Sequence, residues 1–223
     1  MDTKHWHDMK SQDLLLLLKL VALERRTSEH PSKEGRDLTK SVVDPSEAID
    51  SIPEVPDDIS MPPQLNLEMD PYSVRGLADA TGISKSEISN VLARCYSNGL
   101  ARSQKRSGSP VVNRRELEEF LAYGVRFVFP TKIAGLARGI PTSLTAPIFQ
   151  GILRSAGDYL PVWPDPHGDT LGLAVEPLYK TVPIAIRKDE TLYMLLATVD
   201  SIRVGQPRER KLAITQLQNL LDF

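Results

Sequence analysis

The stretch Tyr72–Tyr96, YSVRGLADATGISKSEISNVLARCY, decides how this chain is read. Ala78, Gly82 and Ile88 stand in the spacing A-x3-G-x5-I. That spacing supplies a small residue where two helices cross, a glycine at the turn between them and an apolar anchor on the second helix. The flanks agree. Ser84 and Glu87 are spaced as a capping box, and Ile83 with Ile88 as a hydrophobic staple across the same helix start, so the second helix is predicted to begin at Lys85. At about 100° per residue, Ile88, Val91, Leu92, Cys95 and Tyr96 share one stripe, which leaves Ser86, Ser89, Asn90, Ala93, Arg94 and Ser97 outside it. A face this polar and short-sided suits plain solvation. It equally suits close approach to a major groove, with Asn90 bonding adenine edges and Arg94 reaching guanine or phosphate.

Asn98-Gly99 ends that helix. Leu100–Gln104 and Pro110–Asn113 then flank a tip of Lys105, Arg106, Ser107, Gly108 and Ser109, the pattern of a hairpin. Asn113 with Glu116 repeats the capping-box spacing and Val112 with Leu117 the staple, so a further helix is predicted from Arg114. Arg114 and Arg115 place two cations at the positive end of its dipole, a cost of roughly a few tenths of a kcal/mol. Either a bound phosphate relieves that cost, or Glu118 and Glu119 do so one turn along.

Total charge conceals how charge is distributed. The chain holds 27 Lys plus Arg against 29 Asp plus Glu, a net of -2, which by itself speaks against a nucleic-acid partner. Residues 71–115, however, carry Arg75, Lys85, Arg94, Arg102, Lys105, Arg106, Arg114 and Arg115 against only Asp79 and Glu87. Residues 44–70 carry Asp44, Glu47, Asp50, Glu54, Asp57, Asp58, Glu68 and Asp70 and no Lys or Arg. The two segments offset each other in the sum, and a local basic field is what steers DNA.

On these residues, roughly 11–123, the chain resembles bacterial winged helix-turn-helix regulators of the broad MarR-like kind. The motifs are a leading helix, LADATGISKSEI at 77–88, NGLA at 98–101 and a basic hairpin tip. The resemblance implies that the second helix enters the major groove of double-stranded DNA while the hairpin, as a wing, follows the backbone, usually from a homodimer. Ser84, Lys85, Ser86, Ser89, Asn90 and Arg94 would then meet the groove, and Lys105 and Arg106 the backbone. Apart from the resemblance, Arg114 at its helix start is a candidate for a phosphate contact. One departure stands out: residues 27–70 separate the leading helix from the rest, where such regulators have a short connection.

The expected fold class is α+β, mainly α. A winged helix-turn-helix domain is built from a leading helix at 1–26 and residues 71–124, interrupted by an acidic, proline-rich linker at 27–70. A small α+β domain at 125–223 follows, ending in a helical pair and serving dimerisation, a partner or an effector. In the linker, Pro31, Pro45, Pro53, Pro56, Pro62 and Pro63 break regular structure, while Val42, Val43, Ile49, Ile52, Val55 and Ile59 suit either a surface loop or a strap that docks on a partner or on the basic head. Leu14–Leu18, Leu20, Val21 and Leu23 form a leucine-rich helix, capped by Ser11, that belongs in the core and forms a possible dimer seam. Lys19 interrupts it. It is too short to span a bilayer, and Asp2, Asp8 and Asp13 before it do not suit a secretory leader.

Further on, Val125–Phe129 alternates as a short strand, Gly135–Ser143 reads as a loop into a helix capped by Thr142 or Ser143, and Leu171–Val175 as a strand. The 159–169 stretch is proline-rich and non-helical. From Pro183 the pattern is helical, with Leu192, Leu195, Leu196 and Val199 on one stripe, Gly205 as a stop, and Leu212, Leu217, Leu220 and Leu221 on a last helix.

Enzyme signatures are absent from the sequence: there is no P-loop, nucleophile elbow, H-E-x-x-H or dinucleotide glycine pattern. Asp165, His167 and Asp169 are the nearest approach to a metal set, against the plainer reading of a polar turn. Arg138–Ser143 offers an anion cradle against an ordinary helix start. His5 and His7 flank Trp6 near the first residue, a poor place for ligands. The single cysteine, Cys95, gives no disulfide framework and fits a reducing compartment; on the inner stripe it reads as a buried structural thiol. The expectation is a cytoplasmic, sequence-selective transcriptional regulator, a repressor, without cofactor, membrane contact or enzymatic activity. Its rivals are an antitoxin-like module that holds a protein partner and a small metal-dependent enzyme at Asp165, His167 and Asp169.

Overall fold

The structure, a computed structural model, describes residues 9–29, 69–151 and 160–223. Within them the fold is α+β and mainly helical. Most of the acidic linker lies outside the described residues, as do His5, Trp6 and His7.

Helix α1 (Ser11–Glu29) is the centre of the molecule and is buried from Asp13 to Leu23. A helix with leucine on every side has no face to give to water, so it must be covered all round. Helices α2 (Val74–Thr81), α3 (Lys85–Ser97) and α7 (Glu190–Val204) and strand β2 (Pro110–Val112) cover it. The expected dimer seam on α1 is therefore corrected, because the chain's own elements already take its apolar surface. The helix also runs past the predicted end at 26 to Glu29, where Glu29 accepts from Arg25 Nε at 2.8 Å. Ser11 is its first helical residue rather than its cap, and Asp13 reaches back to accept the Lys10 N–H at 3.0 Å.

A charge is buried among the leucines. Lys19 Nζ meets Asp189 Oδ2 at 2.5 Å, with the side chains 8% and 2% exposed. Asp189 also caps α7, accepting the Leu192 N–H at 2.9 Å, so one carboxylate ties α1 to the start of α7.

Between α2 and α3, Gly82 takes φ 68° and its N–H donates to Ala78 O at 2.9 Å, the left-handed turn for which the sequence supplies glycine. Strands β1 (Ala101–Ser103) and β2 form an antiparallel hairpin with Ala101 opposite Val112 and Ser103 opposite Pro110. Helix α4 (Arg114–Tyr123) starts where predicted, but the capping box does not form: Asn113 makes no cap bond and points its amide at Gly99 O, 3.4 Å away. Buried Val112 and Leu117 remain at that start.

The expected strand at 125–129 is instead a short helix, α5 (Val125–Val128). Its alternation fails at Val128, which is exposed along with Phe127, and only Val125 is buried, so no dry strand face exists. Gly135–Ser143, expected as a loop into a helix, is strand β3 (Ile133–Pro141) running into a single 3-10 turn at Ser143–Thr145. Strands β4 (Pro161–Pro164) and β5 (Thr170–Val175) close a small sheet with it: β3 is antiparallel to both, and β4 lies parallel to β5. Gly168 lets the β4–β5 turn cross β3, since a Cβ there would sit 2.3 Å from the main chain of Gly139.

After a short turn α6 (Val182–Ala185), α7 and α8 (Pro207–Leu221) form the predicted closing pair about Gly205. Asp200 on α7 fixes the sheet to the helices: it accepts from Trp163 Nε1 at 2.5 Å, from Thr142 at 3.2 Å and from Arg203 at 2.6 Å. The apolar core is one cluster that includes Leu77 and Ile88 as well as Leu195 and Leu217. The anticipated boundary at 124/125 thus does not divide two cores. No helix of the described residues is long and apolar enough to cross a membrane.

Candidate nucleic-acid interface

Ser84 caps α3, its hydroxyl accepting the Glu87 N–H at 3.4 Å. The stripe of Ile88, Val91 and Cys95 is buried, with Leu92 half-buried; Tyr96, expected on the same stripe, is exposed. Ser84, Lys85, Ser86, Ser89, Asn90, Ala93 and Ser97 are exposed. The outer face of α3 is therefore open, and its side chains up to Asn90 are short apart from Lys85. Ser89 returns its hydroxyl to Lys85 O at 3.3 Å, and Asn90 Nδ2 donates to Glu87 Oε2 at 3.3 Å.

Arg94 does not belong to that open face. Its guanidinium donates to both oxygens of Asp13 at 2.9 and 2.6 Å and to Glu87 at 2.8 Å, and the Asp13 side chain is 0% exposed. A buried carboxylate needs a partner, and among the described residues Arg94 is the cation that meets it, so the arginine clamps α3 to α1 and its role as a base reader is corrected. Glu87 belongs to the same clamp, bonded by Gln12 and Arg94, rather than closing a capping box with Ser84.

Bonds from Arg94 and Asn90 hold the Glu87 carboxyl below the ordinary glutamate value of 4.5. Because the folded form binds that proton less readily than the unfolded chain, the clamp's contribution is present above pH 4.5 and fades as pH falls through the lowered value. In Arg94→Ala the Glu87 titration, followed by carbon NMR, is expected to move back up towards 4.5; an unmoved midpoint contradicts the clamp.

Lys105 and Arg106 sit exposed at the hairpin tip. The tip is held by its own bonds: Gly108, at φ 72°, donates its N–H to Gln104 O at 2.8 Å, and Ser103 donates to Gly108 O at 3.1 Å. Strand β1 packs on α3, which sets the hairpin beside that helix. Exposed Arg75 and Arg102 add cations on α2 and β1 that the motif reading did not single out as site residues.

Arg114 is also corrected. It donates to Leu221 O at 3.0 Å and Phe223 O at 2.7 Å, and its guanidinium lies 4.2 Å from the Phe223 ring centre. The main-chain oxygens of Leu221, the last residue of α8, and of Phe223 beyond it answer the cation at the start of α4. Glu24 was missed as well: it accepts the Val112 N–H at 2.9 Å, fastening the hairpin to α1, and burial pushes its carboxyl up.

The other candidates resolve differently. Asp165 gives both oxygens to Arg187, at 3.0 and 2.8 Å, and accepts the His167 N–H at 2.7 Å, so it fixes a turn. Among the described residues no three His, Cys, Asp or Glu side chains converge as metal ligands. The Arg138–Ser143 cradle is a strand and a three-residue turn without a side-chain cap, so it presents no helix start to an anion. Cys95 is buried, and burial pushes its thiol up to about 12, which keeps it protonated and inert. No protein-family model, curated protein or solved structure matches the chain.

Proposed function

We propose that the chain is a winged-helix, MarR-like regulator of transcription that binds double-stranded DNA selectively, as a homodimeric repressor. Helix α3 enters the major groove and the β1–β2 hairpin lies along the backbone. The observation that carries this reading is the exposed, short-sided face of α3, clamped from behind by Asp13 and flanked by the cationic tip of Lys105 and Arg106. Short side chains let a helix approach base edges, and cations beside it supply the salt-dependent part of affinity. Lys85, at the start of α3, positions phosphates, and Asn90 reads a base, its Glu87 bond fixing which end of the amide points outward.

Two variants separate these roles. Alanine at both Lys105 and Arg106 is expected to weaken binding across all sequences and to flatten the slope of log affinity against log salt by about two. Asn90→Ala is expected to relax preference at one base position, with the salt slope kept. Fluorescence anisotropy over a salt series reads both; an unchanged slope in the first removes the hairpin from the interface, and an unchanged preference in the second removes Asn90.

A further inference from the structure

The small sheet closes on itself over only part of β3. Strand β3 pairs with β5 at Ile133 and, after a bulge, along 136–139, but with β4 only along 139–141, so its second edge is unpaired from 133 to 137 among the described residues. Arg138 O identifies that edge, since it accepts from Asp165 N at 3.1 Å where β4 ends. By the alternation of a strand, the N–H and C=O of Leu136 point the same way.

The side chains beside the edge are apolar and uncovered. Ile133 is 51% exposed, Leu136 50% and Leu171 61%. Leu136 stands opposite Leu173 and Arg138 opposite Leu171, so these four share one face of the β3–β5 pair. Lys132 and Arg138 mark the two ends of the open stretch, both exposed, and neither makes an ion pair among the described residues.

An exposed apolar edge is a template for another strand. Its end charges select which one. A second copy would bring its own Lys132 and Arg138 to the same edge and add cation to cation. Carboxylates at those two places are complementary.

We propose that this edge docks an extended segment of a partner protein, apolar at its centre and acidic at both ends, which joins the sheet as a further strand. Leu136 supplies the main-chain bonds, the Leu136 and Leu171 face takes the apolar centre, and Lys132 and Arg138 take the carboxylates. The proposal stands apart from the DNA reading, because no residue of α3 or the hairpin enters it.

The test titrates the full chain into a fluorescein-labelled peptide with valine, isoleucine and valine between pairs of glutamate, and into the same peptide with lysine pairs. Backbone hydrogen exchange is followed in parallel. Expected are saturable binding of the glutamate peptide alone, at least tenfold slower exchange at Leu136 when it is bound, and at least tenfold weaker binding by Leu136→Pro, which lacks the edge donor. Should the proline variant misfold, the pair Lys132→Glu and Arg138→Glu is expected to exchange the preference for the lysine peptide. Absence of saturable binding, or binding without slowed exchange at Leu136, overturns the proposal. So does slow exchange at Leu136 in the free chain: if independent of concentration it assigns the edge to the chain itself, and if it grows with concentration, to a second copy.

Discussion

Lys19→Ala is expected to lower the unfolding free energy by about 3–5 kcal/mol, the range for removing one member of a buried ion pair. The loss comes from what stays behind. Among the described residues, Asp189 remains 2% exposed with only the cap bond to Leu192 and Arg26 at 3.9 Å. In Lys19→Met with Asp189→Asn, the flexible apolar chain occupies the lysine's path and asparagine keeps the α7 cap, so most of the loss is expected to be recovered. Urea unfolding of the two variants decides: a loss under about 1 kcal/mol for Lys19→Ala contradicts a structural role for the pair.

The second large effect concerns the clamp behind α3, and it is expected to be asymmetric. Arg94→Ala strands Asp13, at 0% exposure, with only the Lys10 N–H among the described residues, and a loss of about 3 kcal/mol follows. Asp13→Ala costs less, about 2 kcal/mol, because Arg94 is 22% exposed and turns out to solvent. The double variant is expected to lose less than the two single losses together, since the pair is already broken once. If Arg94 were a base reader, its alanine variant would keep full stability and relax preference at one base. Stability measured beside DNA preference therefore separates the two roles.

What was legible in the sequence was local. Gly82 at the turn, Lys85 as the first residue of α3, the dry stripe of Ile88, Val91 and Cys95, the hairpin about Gly108 and the stop at Gly205 all depend on neighbours within a few residues. Such features follow from caps, glycine geometry and periodicity, which a short window contains. What went astray was long-range. Arg94 looked free because its partner Asp13 lies 81 residues away, and Arg114 because Leu221 lies 107 residues away. Asp165 looked available because Arg187 follows 22 residues later. Strand β3 was hidden for a related reason: its two glycines read as a loop, and pairing with residues 162–164 and 170–175 makes it a strand. One sign was present and unused. An aspartate, Asp13, placed directly before five leucines has little prospect of solvent, and a buried carboxylate implies a cation somewhere in the fold.

The central claim is that the open face of α3, with the hairpin beside it, reads duplex DNA. Selection of bound sites from a pool of random duplexes, at two stated salt concentrations, tests it most directly. The claim predicts enrichment of one motif that persists at the higher salt, as half-sites about 10 base pairs apart, and loss of one motif position in Asn90→Ala. A pool that stays random, bound equally at low salt and released equally at high salt, contradicts it.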